Sequence, residues 1–357
     1  MSKKQSLLAI SDLHLGVQRN GGTTISSAEA LREYGHRFHR GLLELADDGT
    51  DVLVNGDLAD TFSIPLTEAI EIYVVAAEFL QTKPNSSLTW ALGNHDLSKN
   101  SQVLGSVAFM GRMLAMRFPD RFRLIDAPAL LSEGVYVIPH CANQDLFELE
   151  LSKVPVGVRF LFLHCNFDSK FAQQADHSLD LSRDQAKALK ARGITMILGH
   201  EHQQRDSLGG AVLVVGNQFA SSVSDCLGNE TKRCVMLEDG GVSFIQTWSP
   251  DDAEGWFAET DWRDLKGIEE EGRGFVRVVG KASAEEAADV VKAISAFRQR
   301  SQSFVVTNAV QLEQLEGLDE VSTSVEELRS LSVLDMLLEM LDPEQRIAIE
   351  KLTTEAA

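Results

Sequence analysis

The sequence predicts a layered α/β protein. Three observations carry this. Short apolar runs alternate with amphipathic stretches from Leu7 to Leu198, five of the runs lead straight into clusters of Asp, Asn and His, and past Leu198 the helical pattern yields to consecutive strands, as if a second sheet faced the first.

The strands expected from these runs are 7–10, 52–54, 88–92, 135–138, 159–163, 194–198, 211–215, 234–237 and 242–245, with helices at 28–46, 66–80, 102–116 and 183–191. Five strands end at Asp12, Asp57, Asn94, His164 and His200. Ligands of α/β sheets gather beyond the carboxyl ends of the strands, so one rim would collect all of these side chains.

With 357 residues, the chain can bury a large core and carry an appendage. We read a domain over 1–250, a polar linker over 251–272, a small α+β cap over 273–311 and a helical tail over 312–357. The cap reads as strand 275–279, helix 283–299 and strand 304–310, with Ser283 and Glu286 as a capping box. In the tail, Ser324 with Glu327 opens one helix and Asp342-Pro343 another. The run 333–341 is apolar almost all round, so it must bury itself against something.

The formal net charge of -20 argues at first against a nucleic-acid partner. Yet 251–357 holds 24 acidic and 11 basic residues, which accounts for -13 of it, whereas 97–123 carries Lys99, Arg112, Arg117, Arg121 and Arg123 against Asp120 alone. No run reaches the roughly 20 apolar residues of a membrane helix, and no signal peptide is evident, so a cytoplasmic location is expected. Cys141, Cys165, Cys226 and Cys234 form no C-x-x-C pair and read as reduced, mostly buried thiols.

The chemistry lies in Asp12-Leu13-His14, Gly56-Asp57-Leu58-Ala59-Asp60, Gly93-Asn94-His95-Asp96, His164 and Gly199-His200-Glu201-His202. Asp12 and His14, two apart on an extended segment, share a face and can chelate together. Asp57 has two carboxylate oxygens and can bridge two cations. Asn94 offers a neutral oxygen, and His164, His200 and His202 offer imidazole nitrogens suited to manganese, iron or zinc. A pair of divalent ions would activate water and hold the attacking and leaving oxygens of an in-line phosphoester displacement. His95, beside a ligand yet not needed as one, is placed to protonate the leaving oxygen.

At these residues the chain resembles the calcineurin-like metallophosphoesterases, whose five blocks it reproduces from Asp12 to His202. The resemblance implies two packed mixed sheets flanked by helices, a four-layer sandwich, with a dinuclear centre at the rim. It also implies that Asp12, His14, Asp57 and His202 hold one ion, that Asp57, Asn94, His164 and His200 hold the other, and that His95 acts on the leaving group. Asp12-Leu13-His14-Leu15-Gly16, the Gly56 to Asp60 block, Asn94-His95-Asp96 and the stretch from Val215-Gly216-Asn217 to Lys232-Arg233 are similar to the SbcD-type double-strand-break repair nucleases, phage-encoded relatives included. That likeness implies a manganese-type DNA exonuclease or endonuclease whose tail grips an SMC-like ABC ATPase of the SbcC type.

Alternatives accompany this reading. The same chemistry serves small-molecule phosphoesterases acting on cyclic nucleotides or nucleotide diphosphates, and a non-catalytic scaffold would keep the fold alone. The tail helix could instead pack within the chain or in a homodimer. Lys99, Arg112 and Arg117 are the expected substrate-binding cations. His36 and His39, among Arg32, Arg37 and Arg40, read as a solvated helix face. His140 and His177 match no block and read as structural, and Met110, Met113 and Met116 read as helix core.

Overall fold

The computed structural model describes residues 6–16, 25–98, 103–169, 179–227, 231–249, 257–267, 274–301 and 305–312. The chain first lays down four parallel strands, β1 (Ser6–Ile10), β2 (Thr50–Asn55), β3 (Leu88–Ala91) and β4 (Phe122–Ile125), in sequential order. Parallel neighbours need long crossovers. These are α1 (Ile25–Glu44), α2 (Leu66–Thr82) and α3 (Ser106–Arg117).

The chain then starts a second sheet with β5 (Ala129–Ser132) and β6 (Val135–Ile138), followed by α4 (Gln144–Ser152) and β7 (Phe160–His164). A short parallel pair, β8 (Asn166–Phe167) with β9 (Asp180–Leu181), precedes α5 (Arg183–Ala191), β10 (Thr195–Gly199), β11 (Arg205–Ser207) and β12 (Val212–Val214). The second sheet runs in the order β11-β12-β10-β7-β6-β5 and is mixed: β6, β7, β10 and β12 are parallel, and β5 and β11 close its edges antiparallel. After α6 (Val223–Leu227) the chain returns to the first sheet with β13 (Lys232–Glu238), antiparallel to β1, and β14 (Gly241–Trp248).

This corrects one expectation. The second sheet begins well before Leu198, and of the strands past it β11 and β12 stay in the second sheet while β13 and β14 join the first. Apolar periodicity marks a strand but not its partner, which only pairing decides.

Alternation along each strand explains the layers. Leu7, Ala9, Leu53, Ala91, Val137, Phe160, Phe162, Ile197, Val235 and Leu237 fill the space between the sheets. Leu8, Ile10, Val52, Val54 and Trp90 face the opposite way, under α1 to α3. Leu161, Leu163, Met196 and Leu198 pack under the helices of the second sheet with Phe147, Leu151, Ala186 and Leu189. Strands buried on both faces read as continuous apolar runs, which is why they were legible in the sequence. The strands missed, such as β11 with its exposed Arg205 and Asp206, lack that signature.

Beyond the two sheets come β15 (Phe257–Asp261), β16 (Phe275–Val279), β17 (Lys281–Ala282), α7 (Ala287–Arg300), β18 (Val305–Asn308) and β19 (Gln311–Leu312). β15, β16 and β18 form an all-parallel three-stranded sheet, so the expected strand, helix, strand unit gains a strand from the stretch read as linker. Phe275 is fully buried in the core cluster of the first sheet, with its ring 6.1 Å from that of Tyr34. These strands form one unit with the two large sheets, covering 1–280 and 289–310. A second unit covers 281–288 and 311–357, where β17 pairs with β19 and the Ser283–Glu286 capping box forms in both directions. The helices expected at Ser324 and Asp342, and the apolar run 333–341, lie outside the described residues. Among the described residues no helix is long and apolar enough to cross a membrane.

Three side-chain expectations need revision. His36 and His39 are buried, not solvated: His36 Nε2 lies 2.7 Å from Glu68 Oε2 in the contact of α1 with α2, and burial together with the neighbouring His36 pushes His39 down to about 3. Met110 is core as expected, but Met113 and Met116 stand exposed. All four cysteines are free thiols, with Cys141 half-buried and the other three buried, as expected.

Candidate metal centre

Each sequence-predicted ligand sits where a strand ends. β1 runs into Asp12 and His14, β2 into Asp57, β3 through Leu92 and Gly93 to Asn94, β7 ends on His164, and β10 precedes His200. The first two loops are stitched together by backbone bonds from Asp12 N to Gly56 O (3.1 Å), His14 N to Asp57 O (3.0 Å) and Leu15 N to Leu58 O (2.9 Å). Asp12, His14, Asp57 and His200 all take left-handed φ values, 55°, 46°, 50° and 88°. A non-glycine residue pays about 1–3 kcal/mol for such a conformation. Strain concentrated on four functional side chains implies that the surrounding strands hold them against it.

The donor atoms converge. Asp57 Oδ2 lies 3.2 Å from His164 Nε2 and 3.8 Å from His14 Nε2. His14 Nε2 lies 3.0 Å from His202 Nε2, and Asn94 Oδ1 lies 3.1 Å from His164 Nε2 and 2.9 Å from His200 Nδ1. Asp12 with His14 and His202, and Asp57 with His164 and His200, each place ligand atoms within 4.8 Å of one another. The two expected ligand sets are thus both brought together around Asp57. A third group, His14, Asp57 and His95, satisfies the same spacing.

Neighbours fix which atom each ligand presents. His164 Nδ1 donates to Asn55 O at 2.9 Å, which leaves Nε2 with its lone pair facing Asp57 and Asn94. Asn55 Nδ2 in turn donates to Leu163 O, 2.9 Å away, joining the ends of β2 and β7. The Asp12 carboxylate accepts His200 N at 2.9 and 3.1 Å, and His14 Nδ1 lies 3.5 Å from Asp60 Oδ1. His95 N donates to Asp57 Oδ1 at 2.9 Å, and its Nδ1 is in short contact with the carbonyl of Asp60.

The electrostatics ask for positive charge. Burial opposes ionisation of Asp57, but His164, His14 and His95 outweigh it and hold the carboxyl well below the usual range. Burial likewise opposes charge on His164, yet Asp57, Asp12 and the Asn55 carbonyl push it up to about 10. His14 is raised for the same reason, with Asp60, Asp57 and Asp12 overcoming its burial. His200, by contrast, is brought down to about 4 by burial and by the adjacent His164. Buried carboxylates that favour positive charge here, set among imidazole and amide donor atoms about 3 Å apart, form a donor set that fits hard-to-borderline divalent ions, which would take the place of the protons.

Glycine is required at two of these turns. A Cβ on Gly56, whose φ is 91°, would overlap the His164 ring, and one on Gly93 would overlap the Asp57 carboxylate. We expect Gly56→Ala to cost about 1–2 kcal/mol from the backbone alone and to displace His164. Denaturant unfolding and elemental analysis check both effects: the variant should be less stable and hold less metal.

Some contributors escaped the sequence reading. Asp96, fully buried, accepts Ala59 N at 3.1 Å and Gly93 N at 2.9 Å, clipping the Asp57 loop to the Asn94 loop; its place in the motif was a signal. Asp225 faces His202 from 23 residues downstream and carried no such signal. His140, read as structural, lies with its ring 6.4 Å from His164, held by His140 N to Leu92 O at 2.9 Å. Of the expected substrate-binding cations, Arg112 and Arg117 are exposed on α3, and Lys99 lies outside the described residues, as does His177. Arg121 and Arg123 instead brace carbonyls of Leu80 and Leu130 at 2.6 and 2.8 Å.

A family model for calcineurin-like phosphoesterases matches residues 6–246, from β1 into β14. This chain belongs to the calcineurin-like phosphoesterases. It is therefore a metal-dependent phosphoester hydrolase by family, and the converged side chains are candidate ligands for the dinuclear centre that the family uses. No curated protein matches the phosphoesterase significantly. Solved structures similar to it include a cold-active protein-tyrosine phosphatase of a psychrophilic Shewanella species (10% identity, 68% of this chain and 80% of that one, TM-score 0.32). Others are purple acid phosphatase PPD1 from yellow lupin, Lupinus luteus (13%, 69% and 52%, TM-score 0.34), and the calcineurin-like phosphoesterase YfkN from Bacillus subtilis (14%, 68% and 91%, TM-score 0.30). The family assignment rests on the family match, not on likenesses this distant.

Proposed function

We propose that this phosphoesterase is a manganese-type DNA nuclease of the SbcD kind, hydrolysing phosphodiester bonds in the cytoplasm as part of an ATPase-nuclease complex for DNA repair or recombination. The observation that carries the reading is the graded burial of the candidate ligands. Asp12, His14, Asp57 and His164 are buried, whereas Asn94, His95, His200 and His202 are half-buried, so part of the ligand set is accessible from solvent, as a polymeric substrate requires.

In this reading Asp12, His14, Asp57 and His202 hold one ion, and Asp57, Asn94, His164 and His200 the other. Bound there, two ions would supply Lewis acidity to the phosphate and an activated water at neutral pH. Asp57 is held in place for both by its bond from His95 N and by the close approach of Gly93. His95, whose Nδ1–H is held by the Asp60 carbonyl, would act as the doubly protonated imidazolium, giving its Nε2 proton to the leaving oxygen and remaining as the neutral Nδ1–H ring. Arg112 and Arg117, with Lys99, would contact backbone phosphates. The tail would dock on an SMC-like ATPase, whose cationic surface offsets the acidity of 251–357.

Digestion of labelled linear duplex and single-stranded DNA, beside bis-p-nitrophenyl phosphate, with manganese, magnesium and zinc in turn, tests the reading. Manganese-dependent degradation of DNA is expected. Hydrolysis of soluble nucleotides with DNA left intact would move the assignment to a small-molecule phosphoesterase, and inertness on every phosphoester to a scaffold.

A further inference from the structure

His202 is one of the half-buried candidate ligands, and the structure surrounds it with groups outside the five ligand blocks. Asp225, on the short helix α6, is buried, and its carboxylate is oriented by three donors to one oxygen: Ser221 N at 3.0 Å, Ser221 Oγ at 3.1 Å and Ser222 Oγ at 2.8 Å all bond Oδ2. The other oxygen, Oδ1, is thereby turned to His202 Nδ1, 3.7 Å away. Lys232, only 2% exposed, places Nζ 4.0 Å from the same Oδ1 and donates to the His202 carbonyl at 3.3 Å. Gly216, at φ 79°, lets its backbone pack against that carbonyl, where a Cβ would come within 2.8 Å.

We infer that Asp225 and Lys232 are positioning residues: Asp225 sets the His202 ring in the Nδ1–H tautomer, and Lys232 holds the His202 backbone and neutralises Asp225. The inference rests on the reading of His202 as a metal ligand. A neutral imidazole carries its proton on one nitrogen and offers the other as donor. With Nδ1–H directed at a carboxylate, Nε2 keeps the lone pair that faces His14 Nε2 at 3.0 Å. Lys232 answers the cost of leaving a carboxylate buried, since an unpaired buried charge is strongly unfavourable. An amide in place of the carboxylate could turn its NH₂ toward Nδ1 and so favour the Nε2–H tautomer, which has nothing to offer a cation.

Manganese titration of metal-free full-length protein, followed by elemental analysis, tests this in Asp225→Asn. Wild type is expected to bind two ions per chain. The variant should bind one of them about 10- to 100-fold more weakly and retain the other. Ser222→Ala removes one donor to Oδ2 but keeps the carboxylate, so it should retain both affinities; it covers the case in which Asp225→Asn folds poorly, because a loss of metal there would make the effect one of helix stability and overturn the inference. In a His202→Ala background, Asp225→Asn should change manganese affinity no further, since Asp225 acts through that ring. Wild-type affinity for both ions in Asp225→Asn, or additive losses in the double variant, would overturn the positioning role while leaving the metal centre standing. Fewer than two ions in wild type would instead overturn the dinuclear reading, and this inference with it.

Discussion

Asp57→Ala is expected to empty the site and abolish turnover. Asp57 is 1% exposed and faces His164 at 3.2 Å and His14 at 3.8 Å, so in the proposed centre it would be the carboxylate that both ligand sets share. Removing it leaves crowded imidazoles without the anion that offsets a cation's charge. Ions in such sites supply several kcal/mol of charge stabilisation, so with about 1.4 kcal/mol per tenfold in rate the loss should reach about 10³-fold or more. Alanine is also poorly suited to the left-handed φ of 50° at this position, which confuses metal loss with backbone strain. Asp57→Asn is the control, because asparagine tolerates that conformation and can still accept from His95 N. Elemental analysis should find both variants depleted, with Asp57→Asn unfolding near the wild-type metal-free temperature. Two ions retained in Asp57→Asn would mean that the bridging role is wrong.

His95→Asn is expected to separate chemistry from metal binding. His95 follows Asn94 directly, and its ring packs edge-on against His14 with centroids 4.8 Å apart, so its position alone would also allow it to bind an ion. Its Nδ1 is already engaged by the Asp60 carbonyl and its N–H by Asp57 Oδ1, which suits an imidazole held for proton transfer from Nε2. A general acid contributes typically about 10²–10⁴-fold. The variant should therefore lose that much in kcat while its metal content stays near wild type. The loss should shrink for a substrate with a good leaving group such as p-nitrophenolate, which departs without a proton. A drop in metal content equal to the drop in rate would make His95 a ligand instead.

The α1–α2 contact shows where sequence patterning misleads. His36 and His39 lie among Arg32, Arg37 and Arg40, and a helix face so rich in cations reads as solvated. Instead Glu68 of α2 reaches across to His36, and Arg40 pairs with Glu71 and Glu78 at 2.6 Å each. Complementary charge on a second helix, some 30 residues away in the chain, turned a polar face into an interface. Met113 and Met116 fail in the opposite sense: apolar residues at helical spacing were expected to be covered, and α3 leaves them exposed.

Most strands of both sheets, the order of the ligands and their chemical types were legible from the chain alone, because strands buried on both faces must be apolar and the site loops must begin where those strands stop; the partly exposed edge strands β4, β5 and β11 were not. Residue type likewise announced which side chains could hold cations or carry a proton. Tertiary structure decided what depends on contacts between distant segments: that β13 and β14 return to the first sheet, that Asp225 and Lys232 close on His202, that Asp96 ties two loops, and that Asp12, His14, Asp57 and His200 are held in strained backbone. Local pattern records what a segment needs to bury, whereas its partner is chosen by packing and charge summed over the whole molecule.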